Sequence, residues 1–435
     1  MRLRTCVTAA VAATTLSVPT LATAPVAHGA SAAAASTAAA TSATTASRAR
    51  TSPASATATK AMTSRLRTGA QSRYLGSGFS GLVLDESTGA TLWSSRTGTT
   101  RMPASTQKVM TAITVLSSTS PNTQLVTRSY QSSAVPTNVY LKGAGDPSLT
   151  ASKLSTLAQR TAASLRAQGL RSVTLYADAT VFPAPTSATG WKRSYVGSEV
   201  QPVRGLTLAH HRGGANGTTA AASSFAASLK KAGISARYAG AAATSKGANE
   251  LSASWSAPVS SLVAHMLSVS DNDYAEYLLR VAALEAGLRP TWTNSLAHQR
   301  AVLSRAGVPL TGYVNKDGSG LSRSNRMPVR ALVAAVDHMW DDPAMRQVTF
   351  AYGAMPRSGQ TGTLRSRFKA AGQRCAVGKV MAKTGTLGDA VALAGVARGS
   401  DGRIRAFAFI QNGNTRTASV RSAVDTMATA VVGCR

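Results

Sequence analysis

The chain has 435 residues, 44% of them hydrophobic and 5% aromatic, which allows about two to three domains and excludes disorder throughout. Lys and Arg number 47 against 17 Asp and Glu, a net charge of +30. Such a chain is drawn to an anionic polymer or surface, and charge alone does not choose between nucleic acid, acidic wall polymer and anionic membrane.

The first residues narrow that set. Arg2 and Arg4 precede an apolar stretch at 6–21, and Ala22-Thr23-Ala24 forms a small-x-small cleavage site, so residues 1–24 read as a secretory signal peptide. Export argues against nucleic acid as a partner. No later run reaches the ~18 apolar residues a spanning helix needs, so the expected product is secreted, extracellular or associated with the cell wall, with no membrane span after signal removal. Residues 25–63 are an Ala/Ser/Thr tract with scattered Arg and Lys, no aromatic and no acid. This composition predicts a disordered tether, with order beginning near 64–80.

Strands are expected at 80–85 and 90–93, joined by the turn Glu86-Ser87-Thr88-Gly89 into a hairpin. The G-x-G-x-x-G string from Gly76 to Gly81 precedes a strand instead of following one, so it reads as loop glycine and no cofactor is expected. A helix follows from about 105, with Val109, Met110, Ile113 and Val115 on its apolar face. The middle, 126–254, mixes short strands (139–141, 173–176) with Ala-rich helices at about 151–168 and 217–232. The pattern from 255 to 280 is helical. Strands are expected at 377–382, 390–397 and 404–410, and a last helix at about 415–432 carries Val420, Val424, Met427 and Val431. A hairpin at one end and strands plus a helix at the other predict one catalytic domain, 64–125 with 255–435, closed around an inserted domain at 126–254.

The six histidines show no metal spacing and there is no H-E-x-x-H, so no metal is expected. Cys6 lies in the signal. Cys375 and Cys434 remain, and in an oxidising compartment a disulfide between them is the default, two buried thiols being the alternative.

Three short motifs bear on chemistry. Ser105-Thr106-Gln107-Lys108 opens a helix; a spacing of three puts the hydroxyl and the amine on one face, and burial or a second cation lowers a Lys toward the range of a useful base. Ser270-Asp271-Asn272 sets a hydroxyl and an amide on a tight turn between helical runs. Lys383-Thr384-Gly385-Thr386 ends a strand, where the glycine admits a neighbouring backbone. Each alone is ordinary: a capped helix, a helix cap, a strand terminus. In this order they are the signature of penicillin-binding proteins and class A β-lactamases. Gln360-Thr361-Gly362-Thr363 imitates the third motif but lacks its Lys.

Further stretches make the chain resemble the class C low-molecular-mass penicillin-binding proteins, the D-alanyl-D-alanine carboxypeptidase/endopeptidase family. They are Gly143-Ala144-Gly145-Asp146-Pro147, Tyr176-Ala177-Asp178 with Phe182, Gly190-Trp191, Ser270 through Glu276, Asp317 through Arg323, and Gly362-Thr363-Leu364 with Arg367. The likeness spans roughly 70–435. Between Ser105 and Ser270 the chain is shorter than is usual in the family, and His210-His211 stand where Asn-rich sequence is usual.

The resemblance implies an α/β fold: a β-lactamase/transpeptidase-like antiparallel sheet flanked by helices, with an inserted domain. It also implies peptidoglycan stem peptides as substrate and β-lactams as covalent inhibitors. Ser105 is the implied nucleophile, Lys108 its base, Ser270 a proton relay, and Asn272 a holder of Lys108 and of the substrate amide. Lys383 is expected to depress the pKa of Lys108 and, with Thr384, Gly385 and Thr386, to receive the terminal carboxylate. Anionic wall polymers are a further expected partner. A β-lactamase would need a dedicated Glu, for which this acid-poor chain offers no counterpart. A merely adhesive wall protein would not need all three motifs intact.

Overall fold

The computed structural model describes residues 53–212, 216–351 and 353–434. The expected signal peptide and most of the expected tether lie outside the described residues. Five antiparallel strands form the first sheet, in the order Val380–Leu387, Ala390–Arg398, Ile404–Asn412, Phe79–Asp85, Thr91–Ser95. The N-terminal hairpin thus completes a sheet begun by the C-terminal strands, with Leu82 opposite Ala408. Strands such as Ala390–Arg398 read as unbroken apolar runs because both faces are covered. Phe79, Val83, Leu393, Phe407 and Phe409 face one core, shared with the helix Thr417–Val432. Leu82, Ala394, Ala406, Ala408 and Ile410 face the other, shared with the helices Gln107–Ser118 and Val329–Asp341.

Two boundaries differ from expectation. A helix, Pro53–Ala70, begins inside the stretch expected to be a tether. Ala is the strongest helix former, and Met62 and Leu66, four residues apart, are buried in the same core as the C-terminal helix. So narrow a stripe leaves no sustained apolar period to find. The first C-terminal strand starts at Val380, after a 3₁₀ turn over Ala371–Ala376, and runs through Leu387. The Lys383–Thr386 motif therefore lies inside the strand and not at its end.

A second sheet is built from Val126–Gln131, Asn138–Lys142, Ser172–Asp178, Ser235–Ala241 and Asn249–Trp255. One face packs on the helices Ala151–Ala167 and Gly217–Lys231 through Val139, Leu141, Leu175 and Phe225. On the other face Tyr130, Tyr140 and Tyr176 stand in register across three strands, and the last two rings stack with centroids 5.4 Å apart. Cys375 and Cys434 are disulfide-bonded, with Cα atoms 6.0 Å apart. No helix among the described residues is long and apolar enough to cross a membrane.

Candidate active site

Ser105 sits in a 3₁₀ turn, Ala104–Thr106, and the α-helix proper starts at Gln107. The turn is held tightly. Ala104 has φ +48°, a strained value for a residue with a side chain. A Cβ at Gly320 would come within 1.9 Å of the Ala104 carbonyl oxygen, and one at Gly385 within 2.8 Å of the Pro103 oxygen. Only glycine lets the loop and the strand press on the Ser105 turn from two sides.

Lys108, one turn on, is fully buried. Its Nζ lies 3.1 Å from Ser105 Oγ and donates to Asn272 Oδ1 at 2.7 Å and to the Ser319 carbonyl at 2.9 Å. Asn272 opens the helix Asn272–Glu285, which Asp271 caps by accepting from Tyr274 N. Ser270, just before the cap, has φ +65°, and this left-handed turn presents it to Lys383. Lys383 Nζ donates to Ser270 Oγ at 2.8 Å and to the Thr384 carbonyl at 2.9 Å. The Ser-Asp-Asn motif is therefore both a helix cap and a bridge between the two lysines.

Burial pulls the Lys108 ammonium down to about 8, against the carboxylates of Glu276 and Asp317, which raise it. Lys383 is lowered well below the usual range by burial and then by the charge of Lys108. Depression of Lys108 thus comes first from its own burial.

The Val380–Leu387 strand is the edge of the first sheet. Among the described residues its outer side is paired at its start, where Ala382 N donates to Pro356 O and Ser358 N to Val380 O. By alternation along an antiparallel strand, the N–H groups of Thr384 and Thr386 also point outward, into open space beside Ser105. That space is a cleft of about 360 Å³ lined by Ser105, Ser270, Thr363, Arg367, Thr384, Thr386 and Arg421. Of the eight expected site residues, Ser105, Ser270, Thr384 and Thr386 line the cleft, and Lys108, Asn272, Lys383 and Gly385 stand behind them.

Several residues carry weight that the sequence reading left unassigned. Glu276 is fully buried, and its two oxygens accept from Gly318 N and Ser319 N at 2.8 Å each. This fixes the loop whose Ser319 carbonyl receives Lys108. Burial, and then Asp317, push Glu276 up to about 8. Asp317 accepts from Gly320 N, Ser322 N, Asn325 and Trp191. Thr363 Oγ1 lies 2.8 Å from Thr384 Oγ1, so the segment that imitates the third motif forms part of the cleft. The available signal was scarcity: with 17 acids in 435 residues, a carboxylate inside an apolar helix is worth assigning.

The model of the D-Ala-D-Ala carboxypeptidase 3 (S13) family matches residues 62–208 and 200–431. The chain belongs to this family. It is accordingly a hydrolase of the D-Ala-D-Ala carboxypeptidase class. It is 28% identical over 377 residues to a carboxypeptidase of Mycobacterium tuberculosis, covering 81% of this chain and 80% of that one. It is 29% identical over 385 residues to the carboxypeptidase DacB of Mycolicibacterium smegmatis, at the same coverage. Penicillin-binding protein 4 of Haemophilus influenzae shares the fold, with a TM-score of 0.71 at 19% identity over 84% of this chain and 98% of that one.

Proposed function

We propose that this chain is a serine D-alanyl-D-alanine carboxypeptidase/endopeptidase that acts on peptidoglycan stem peptides through an ester on Ser105. The observation that carries the reading is the 3.1 Å separation of the fully buried Lys108 Nζ and Ser105 Oγ, which lines the cleft. Ser105 Oγ attacks the carbonyl carbon of the penultimate D-Ala while its proton passes to neutral Lys108. The backbone N–H groups of Ser105 and Thr386 receive the developing oxyanion. The carbon–nitrogen bond then breaks, and the leaving amine takes, through Ser270, the proton that Lys108 had received. Asn272 holds Lys108 in place throughout. Water attacks the ester and gives its proton to Lys108, which passes it to Ser105 Oγ as the ester carbon–oxygen bond breaks.

A β-lactam enters the same steps because it presents a strained amide beside a carboxylate. Its opened ring stays attached, so the ester persists. The signal-like residues 1–24 and the excess of cations support export and retention on anionic wall polymer.

Labelling with fluorescent penicillin and mapping of the adduct tests the reading. The adduct is expected on Ser105 and is expected to vanish in Ser105→Ala. A folded protein that stays unlabelled, or an adduct on another residue, rejects it.

A further inference from the structure

The geometry points to Arg421 as a specificity residue that reads a carboxylate on the carbon bearing the leaving amine. This rests on the proposed chemistry at Ser105 and adds to it.

The two lysines of the site are not placed to meet a substrate carboxylate. Lys383, the expected receiver, has no exposed surface, and its ammonium is occupied by Ser270 Oγ and the Thr384 carbonyl. Lys108 is equally buried. What the edge strand offers the cleft is Thr384 and Thr386, whose hydroxyls are neutral, and Thr384 already shares its own with Thr363. Two guanidinium groups line the same cleft, Arg367 and Arg421. They differ in what holds them. Asp425, buried in the C-terminal helix, gives both oxygens to Arg367, at 3.1 Å to Nε and 2.5 Å to Nη2. Arg421 lies one helical turn before Asp425 on that helix and is exposed. Its guanidinium makes no hydrogen bond or ion pair among the described residues; burial raises the Asp425 carboxyl, and the charge of Arg421, after that of Arg367, works against that rise.

The cleft thus contains one structural Arg and one cation free to engage a ligand. An arginine fork fits a carboxylate with two parallel hydrogen bonds. A terminal D-Ala supplies that carboxylate directly next to the scissile nitrogen. A cross-link does so only if its amine sits on an α-carbon; a cross-link through a side-chain amine remote from any carboxylate does not. The device therefore favours free termini and α-amino cross-links over bridges of the second kind.

The test compares a soluble peptide ending in D-Ala-D-Ala with its C-terminal carboxamide. In Arg421→Gln the acid-to-amide ratio of kcat/KM is expected to fall about 10- to 100-fold, the range for loss of a charged hydrogen-bond partner. Arg421→Lys is expected to recover part of that loss, since charge returns without the fork. If Ser105 is acylated and the ratio is unchanged in Arg421→Gln, or both substrates fall equally, the assignment of Arg421 is overturned alone. If the wild type forms no adduct on Ser105, the chemistry of the cleft and this assignment fail together.

Discussion

In the first sheet, alternate residues of one strand serve two cores: Phe407 and Phe409 face one, and Ala406, Ala408 and Ile410 the other. In the second sheet Leu175 and Ala177 face a core, while Tyr176 between them faces the side that no helix covers. The sheet buried on both sides carries the candidate site at its edge. Its flanking layers hold Lys108, Lys383 and Glu276 away from water, and a strand packed on both faces has little freedom to move. The region of the second sheet contributes to the site through its loops. The Glu199 carbonyl accepts from Asn272 Nδ2 at 3.0 Å, Gln201 N donates to Asp273, and Trp191 Nε1 donates to Asp317 at 2.9 Å. One region supplies reactive groups, and the other fixes the helix and loop that aim them.

The largest expected effect tests the buried region. Lys108→Ala should slow acylation by penicillin about 10²- to 10⁴-fold, the contribution of a positioned proton acceptor, with the circular dichroism spectrum unchanged. Neutral Lys108 is the reactive form, so wild-type acylation should rise with pH through about 8 and level off above it. A rate flat from pH 6 to 9 would remove Lys108 as the base. Next, Phe407→Ala should cost about 3–5 kcal/mol in urea unfolding, by opening a cavity in a fully buried layer. Leu175→Ala, in the one-sided core, should cost about 2–5 kcal/mol. Far below the unfolding midpoint its acylation rate should stay near the wild type. A matching fall in acylation would mean that the two regions are coupled more tightly than their loop contacts imply. The smallest effect is expected on the face of the second sheet away from its helices, where Tyr176→Ala should cost about 0.5–1.5 kcal/mol by removing one ring of the stack with Tyr140.

Much of the first sheet was legible because a strand covered on both faces leaves an apolar run that cannot be mistaken for a loop. Val391 through Ala397 is such a run. The candidate site was legible for a different reason: Ser105, Ser270 and Lys383 each sit in a short contiguous motif that can be read without the fold. The Pro53–Ala70 helix was hidden because alanine is compatible with both coil and helix, and two buried side chains leave no period. The roles of Glu276, Thr363 and Arg421 were hidden because they depend on approach in space. Thr363 and Thr384 are 21 positions apart, yet their hydroxyls touch. The pairing of Arg367 with Asp425 likewise shows only once the last helix is docked.

The disulfide has a dynamic consequence for the cleft. It ties the turn before the edge strand to the end of the helix that bears Arg421 and Asp425, across a separation of 59 residues. The end of a terminal helix ordinarily frays, because its last turns open at little cost. Here fraying would release Asp425 from Arg367 and move one wall of the cleft. The closed loop stabilises the fold by roughly 4 kcal/mol in the chain-entropy model and denies the helix a free end. Reduction under native conditions should therefore speed amide hydrogen exchange first in Thr417–Val432 and weaken capture of penicillin while the sheets stay protected. Uniform exchange across the molecule after reduction would show that the bond guards global stability instead of this one wall.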